Sequence, residues 1–314
     1  MDRNFAFLTI TLLFGLASGA QTTSGVLTGA ITDQGGAVIP GVQVTATEQG
    51  TSSSRSAVSD NAGYYIIPQL PPGTYKVTTN KSGFRSVEIT NILLQVNQSI
   101  TLNFELRIAT SQQTVTVTEA PPALDTTSAT LSTVIDHQET TDLPLNGREF
   151  SQLSLLSPGS VPVETGQQSL FTVSLGAGGI SPSVNGQSGY QNNFTIDGTL
   201  NNSLFTDIWA ISPPPDAIQE FNVQSHITDA KFAISSGANI NVVTRSGGNS
   251  FHGSLWEFLR SDALDANTFP ASLRLPYRQN QYGLYLGEPI TIPHLYQGKD
   301  KTWFSGYWKG FDPT

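Results

Sequence analysis

The chain has 314 residues, of which 38% are apolar and only 12% charged, with a net charge of −9 and no cysteine. So little charge excludes a disordered polyelectrolyte, and an acidic balance without a Lys/Arg cluster argues against a nucleic-acid partner. Without cysteine there is no disulfide framework, no thiolate metal site and no cysteine nucleophile.

The 29 glycines and 18 prolines, set among many Ser, Thr, Asn and Gln residues, suit short β-strands joined by turns. The first twenty residues, MDRNFAFLTITLLFGLASGA, carry Arg3, an apolar run from Phe5 to Leu16 and small residues from Ala17 to Ala20. This layout predicts a secretory signal cleaved after Ala20. The run is about 12 residues long and falls short of the roughly 20 that a membrane-spanning helix needs.

Residues 21–108 read as a β-sandwich. Val42, Val44 and Ala46 alternate with Gln43, Thr45 and Thr47, Tyr75 alternates with Val77, and Ile100, Leu102, Phe104 and Leu106 share one face. The turn sequences DQGG and DNAG recur among these strands at a spacing that suits two packed sheets. The stretches GAITDQGGAVIPGVQVTAT and SDNAGYYIIPQLPPGTYKVTTNKSGF resemble the carboxypeptidase-regulatory-like domain, a transthyretin-like sandwich also described as a carbohydrate-binding-like fold. That resemblance brings no peptidase chemistry, because the module has no HExxH motif and the first histidine of the chain is His137. Tyr64, Tyr65 and Tyr75 are candidates for sugar contact, and strand periodicity favours a core role for alternate aromatics.

Residues 109–130 form a tether. Pro121 and Pro122 bar a regular helix or central strand there. Ahead of them Val115 and Val117 alternate with Thr114, Thr116 and Thr118, an extended pattern suited to joining the open sheet edge of another protein. Thr114–Thr118 resemble the TonB box of TonB-dependent receptors, although Gln113 stands where the box has an acidic residue and Glu119 precedes Ala120. An edge strand finishing the sandwich fits the same alternation.

Residues 131–247 read as a small α+β module. Phe150, Leu153 and Leu156 make a short apolar stripe at near-helical spacing. Asn-Gly and Asp-Gly turns flank two candidate strands in SPSVNGQSGYQNNFTIDGTLNNS, and PPPDAIQEFNVQ reads as a short helix entered through Pro215 and followed by a strand. From residue 248 onward, SFHGSLWEFL, QNQYGLYLGEP and KTWFSGYWKGF read as three wall strands. Their length of about ten residues and their aromatic ends suit a tilted crossing of a bilayer.

LPLNGREF, NNFTIDG, DAIQEFNV, SSGANINVVTRSGGNSFHGSLWEFLRSDALDANTF and RQNQYGLYLGEPI are similar to the plug and first wall strands of TonB-dependent receptors of the Oar-like branch. The resemblance runs from about Ala109 onward. It implies a mainly β protein: an N-terminal sandwich in the periplasm, a small α+β plug, and the first strands of an incomplete outer-membrane β-barrel. It also implies three partners, namely a TonB-type energy-coupling protein, outer-membrane lipid, and an external small ligand of the saccharide or peptide class. Phe205, Asp207 and Trp209, in the loop NNSLFTDIWAISPPP, are the expected ligand contacts, with packing of the loop aromatics on the plug as the competing reading.

Three strands cannot close a barrel, since membrane barrels have at least about eight and plugged transporters about 22. The expectation is therefore the N-terminal part of a longer receptor. A secreted or surface carbohydrate-binding sandwich protein is the alternative. An enzyme has little to work with: His137, His226, His252 and His294 are scattered, no GxSxG stretch is present, and no paired acids stand out. No cofactor or metal is expected.

Overall fold

The computed structural model describes residues 24–109, 115–117, 132–145, 148–162, 181–203, 208–225, 236–264 and 278–313. The expected signal, residues 1–20, lies outside them. No helix among the described residues is long and apolar enough to cross a membrane, which leaves β-barrel crossings open.

Eight strands build the sandwich: β1 (Gly25–Asp33), β2 (Gln43–Glu48), β3 (Ser54–Val58), β4 (Tyr64–Leu70), β5 (Gly73–Asn80), β6 (Val87–Leu94), β7 (Ser99–Thr101) and β8 (Phe104–Leu106). One sheet has the order β4-β1-β7, with β8 also pairing along β1. The other runs β3-β2-β5-β6 and ends on β9 (Val115–Val117). The alternation read from sequence sets the faces: Val42, Val44, Ala46, Val77, Ile100, Leu102, Phe104 and Leu106 are all buried between the sheets. Gly29 is required by the close passage of the strand carrying Leu102, because a Cβ there would lie 1.9 Å from the Leu102 carbonyl oxygen. Of the tyrosines weighed for sugar contact, Tyr65 and Tyr75 are core residues whose hydroxyls donate to the Leu102 and Pro71 carbonyls, while Tyr64 is exposed.

The central module holds β10 (Ser132–Asp136), α1 (His137–Asp142), a 3-10 turn at Phe150–Leu156, β11 (Ser160–Val161), β12 (Ser183–Val184), β13 (Asn193–Ile196), β14 (Thr199–Leu200), β15 (Ile218–Gln224) and β16 (Asn239–Thr244). Its sheet order is β10-β15-β16-β13-β14, with β13 parallel to β16 and the other pairs antiparallel. Asp136 ends β10 and caps α1, its carboxylate accepting from the Glu139 amide at 2.8 Å. The Phe150 stripe forms a 3-10 helix, in which Phe150 and Leu153 are fully buried and Leu156 is exposed. A 3-10 turn at Pro215–Ala217 leads into β15.

The wall is an antiparallel meander of β17 (His252–Ser261), β18 (Arg278–Pro289) and β21 (Trp303–Pro313). A small hairpin of β19 (Thr291–Ile292) and β20 (Tyr296–Gln297) lies between the last two. Register sorts the two faces, since directly opposed residues point the same way. Ser254, Tyr285 and Tyr307 form one row on the inner face, and Leu255, Leu284 and Trp308 one row on the outer. The outer face also carries Leu259, Tyr282, Leu286 and Phe304, all exposed. Gly283 lets Trp256 lie flat across its strand, because a Cβ would come within 2.3 Å of the indole Cζ2. The sheet is open at both edges among the described residues.

Candidate functional site

Three features have functional geometry: the extended strand β9, the seam between the central module and the wall, and the contacts that hold the sandwich against both.

Val115, Thr116 and Val117 lie in β9, which adds in parallel to β6 with Val87 opposite Val115, Glu88 opposite Thr116 and Ile89 opposite Val117. Thr114 and Thr118 lie outside the described residues. The stretch is thus an extended edge strand on the sandwich sheet, the second of the two arrangements that its alternation allows. An extended strand on an edge presents the backbone form that β-strand addition to a partner uses.

The seam is charged and aromatic. Arg148 pairs with Asp216 of the central module while its guanidinium carbon sits 4.1 Å from the ring centroid of Phe258 on β17. The neighbouring Glu149 is buried and accepts from the Ser212 hydroxyl at 2.5 Å. Burial raises its carboxyl above the ordinary value, while the Ser212 bond and Lys309 of β21 oppose that shift. A second clasp starts at His137. Its Nδ1 lies 2.7 Å from the Ile218 carbonyl and its Nε2 3.2 Å from the Arg245 guanidinium. The contacts assign the tautomer: Nδ1 carries the proton and donates to Ile218, and Nε2 accepts from Arg245. Burial draws the imidazole pKa down, the Ile218 bond opposes this, and Arg245 reinforces it. Arg245 lies over the Tyr285 ring at 4.8 Å, and the Tyr285 hydroxyl reaches the Arg245 and Ser246 carbonyls at 3.3 and 3.2 Å. The clasp therefore runs from α1 to the wall through one arginine.

Among the described residues the sandwich is held at two points. The Val96 amide, beyond β6, donates to Oε2 of Glu220 on β15 at 2.8 Å, and Glu220 is 4% exposed. Burial pushes the Glu220 pKa up to about 7, with the Val96 bond opposing and Asp136 adding to the rise. Asn249, just before β17, donates through its amide to the Gly50 carbonyl at 3.1 Å and through its side chain to Ser52 at 3.3 Å. Its side-chain oxygen accepts from the Asp300 amide and the Trp303 indole, both at 2.8 Å. One asparagine thus joins the sandwich to the β17 and β21 ends of the wall.

The expected ligand loop has a different outcome. Trp209 is 4% exposed, and its ring packs edge-on against Phe150 at 5.7 Å and Phe194 at 5.4 Å. An isolated bridge between Asn202 and Trp209 folds the loop back onto the sheet, so the indole belongs to the core and is closed to a ligand. Phe205 and Asp207 lie outside the described residues.

Sequence reasoning missed a layer of amides. On the face of the central sheet opposite Phe194, Phe221, Ile240 and Val242, the side chains are Asn193, Thr195, Asn222, Gln224, Asn239 and Asn241, all buried. Asn193 donates to Asn239 at 2.8 Å, Thr195 to Asn241 at 2.8 Å and Asn239 to Gln224 at 3.2 Å. Asn193 Oδ1, Asn222 Oδ1 and Asn241 Nδ2 find no hydrogen-bond partner among the described residues. The signal was present as the alternation of asparagine with apolar residues in NINVVT. Among the described residues no group of three or more His, Asp or Glu converges on a metal-sized site.

Comparison with known proteins gives these features a setting. Residues 26–107 match the carboxypeptidase regulatory-like domain and residues 243–313 the outer membrane beta barrel domain. The chain is 29% identical over 320 residues to the TonB-dependent transporter Oar of Myxococcus xanthus, a match covering 96% of the chain and 28% of that relative. The chain thus spans little more than a quarter of the length of this curated relative. Among solved structures, the siderophore receptor PirA from Acinetobacter baumannii is 20% identical, with 57% of this chain and 24% of that one covered and a TM-score of 0.43. A putative carbohydrate binding protein from Bacteroides uniformis is 18% identical, with 26% and 41% covered and a TM-score of 0.24.

Proposed function

We propose that this chain, a relative of the TonB-dependent transporter Oar, is part of an outer-membrane receptor for energised uptake of an external nutrient of the saccharide or peptide class. One observation carries the reading: the outer face of the wall sheet bears a patch of exposed apolar side chains, and its inner face packs on the central module. Leu255, Leu284 and Trp308 make an outer row fit for hydrocarbon, while Tyr285 and the rings and charges near it face Arg245, Arg148 and Glu149. In lipid an unpaired backbone group costs several kcal/mol, so this meander enters the bilayer with both edges closed by further strands. The central module then sits as a plug inside the barrel.

In this reading the sandwich lies in the periplasm. Its contacts with the wall are at Asn249, the end where β17 starts and the β18–β21 connection returns. Thr114–Thr118 is the segment that a TonB-type protein grips by strand addition. Tension on it passes along the chain to β10, the edge strand of the plug sheet, which among the described residues pairs with β15 alone. An edge strand is the element of a sheet that can leave without breaking a second ladder. Phe205 and Asp207 are proposed to face the external ligand. The chain itself does no bond chemistry in this scheme.

The test uses the full-length receptor in membranes and the purified periplasmic domain of its TonB-type partner. Val115→Pro with Val117→Pro removes two backbone donors and bends the strand. Loss of partner binding, with the receptor still in the outer-membrane fraction, is the expected result. Undiminished binding places the coupling segment elsewhere.

A further inference from the structure

We infer that the outer edge of β6 is a dock for the coupling segment itself, so that the sandwich withholds the segment until β9 is displaced. The inference rests on the coupling role proposed above for Thr114–Thr118 and adds its regulation. Without β9 the sheet would run β3-β2-β5-β6 and end on a bare row of amide and carbonyl groups at β6. The occupant of that row is a segment of the same chain, in a register of three residue pairs from Val87–Val115 to Ile89–Val117.

The size of the ladder suits a hold that can be released. Two or three net backbone hydrogen bonds bias an equilibrium by roughly 30- to 150-fold. That suppresses chance engagement and still yields to a partner offering a longer ladder. The dock is also fixed in place. The Val96–Glu220 bond and the Asn249 bonds to Gly50 and Ser52 tie the sandwich to the plug sheet and to the wall. A pull on β9 while it lies on β6 is therefore borne by the sandwich and its two anchorages, and does not reach β10. Tension arrives at β10 once β9 has left.

A cysteine pair tests this directly, in a chain whose 314 residues contain no other cysteine. Glu88→Cys and Thr116→Cys occupy partner positions of the parallel ladder, within the reach of a disulfide. In the full-length receptor the pair is expected to oxidise without added partner. Oxidation should weaken binding of the TonB-type periplasmic domain at least 30-fold relative to the same double variant reduced, with recovery on reduction and no redox dependence of binding in either single variant. Reduction doubles as the control for folding. Failure of the pair to oxidise, or oxidation without loss of binding, overturns the dock; the second result would mean that the partner adds to the free outer edge of β9. The coupling reading fails by a different result, undiminished binding by the proline variant, whatever the disulfide yield.

Discussion

The sandwich and the central module are both built of buried strands, yet the two bury different things. Between the sandwich sheets the inward side chains are apolar from both sides but for Thr79 on β5, so the body is closed on itself. The central sheet has one apolar face, under Phe150, Leu153 and Trp209, and one face of buried amides. A sheet of the first kind holds together by removing hydrocarbon surface from water. A sheet of the second kind depends on partners to satisfy its polar face, and among the described residues its ladder leaves three atoms unpaired. The first is suited to a stable dock, the second to a body that rearranges when its edge strand is drawn away.

The largest effects should come from emptying the two cores separately. Phe104→Ala in the sandwich and Phe150→Ala in the central module are each expected to cost about 3–5 kcal/mol. All four tryptophans lie outside the sandwich, and Trp209 touches Phe150. Denaturation followed by tryptophan fluorescence should therefore shift for Phe150→Ala and stay in place for Phe104→Ala, while circular dichroism registers both. A shared shift in fluorescence would show that the two bodies unfold as one.

The next effect tests the joint between them. Glu220 has its pKa raised from 4.5 to about 7. Between those values the folded chain keeps a proton that the unfolded chain has lost. The stabilisation is thus fully present below about pH 4.5 and is lost as pH rises through 7. The shift corresponds to about 3 kcal/mol. Glu220→Gln keeps an oxygen for the Val96 amide and cannot ionise. Measured from pH 4 to 8, the stability of wild type should fall relative to that of the variant by this order. Parallel pH profiles would mean that Glu220 titrates normally and that the joint is wetter than its geometry implies.

The same contrast explains what was legible in the sequence. Alternation suffices where both sheets of a body share one core, and Val42, Val44, Ala46, Tyr75, Val77 and Phe104 could be assigned to the interior from spacing alone. The wall faces were legible for the same reason, since period two separates Tyr282, Leu284 and Leu286 from Tyr285. In the central module the rule misleads. Asn239 and Asn241 alternate with Ile240 and Val242 as a solvent-facing row would, yet they are buried. Trp209 sits in a loop between Asp207 and Ser212, where an exposed residue is expected, yet a bridge to Asn202 folds it inward. Both outcomes depend on contacts distant in sequence. The pairing of Val115–Val117 with Val87–Ile89 is of that kind too. Local pattern established an extended strand there and left its partner open.

A smaller change sharpens the seam between plug and wall. Arg148→Lys keeps the charge facing Asp216 but loses the flat guanidinium over Phe258. A cost of about 1 kcal/mol is expected in the full-length receptor, and none in a Phe258→Ala background, where the ring is already gone. Equal costs in both backgrounds would assign the whole effect to the Asp216 pair.

The smallest effect bears most directly on the amide face. Asn222 Oδ1 is buried without a partner among the described residues, and the residue is 1% exposed. Replacing a buried, unsatisfied polar group by an apolar one of similar size removes its desolvation penalty. Asn222→Leu should therefore leave stability unchanged or raise it by up to about 1 kcal/mol, against the usual direction of core substitutions. A loss of that size would mean that water or a further segment satisfies the ladder. If stability rises, the face is held polar at the expense of stability, as the parting of the sheet under load proposed above requires. The Asn222→Leu plug should then resist remodelling, which slower exchange of the β10 amide protons would report.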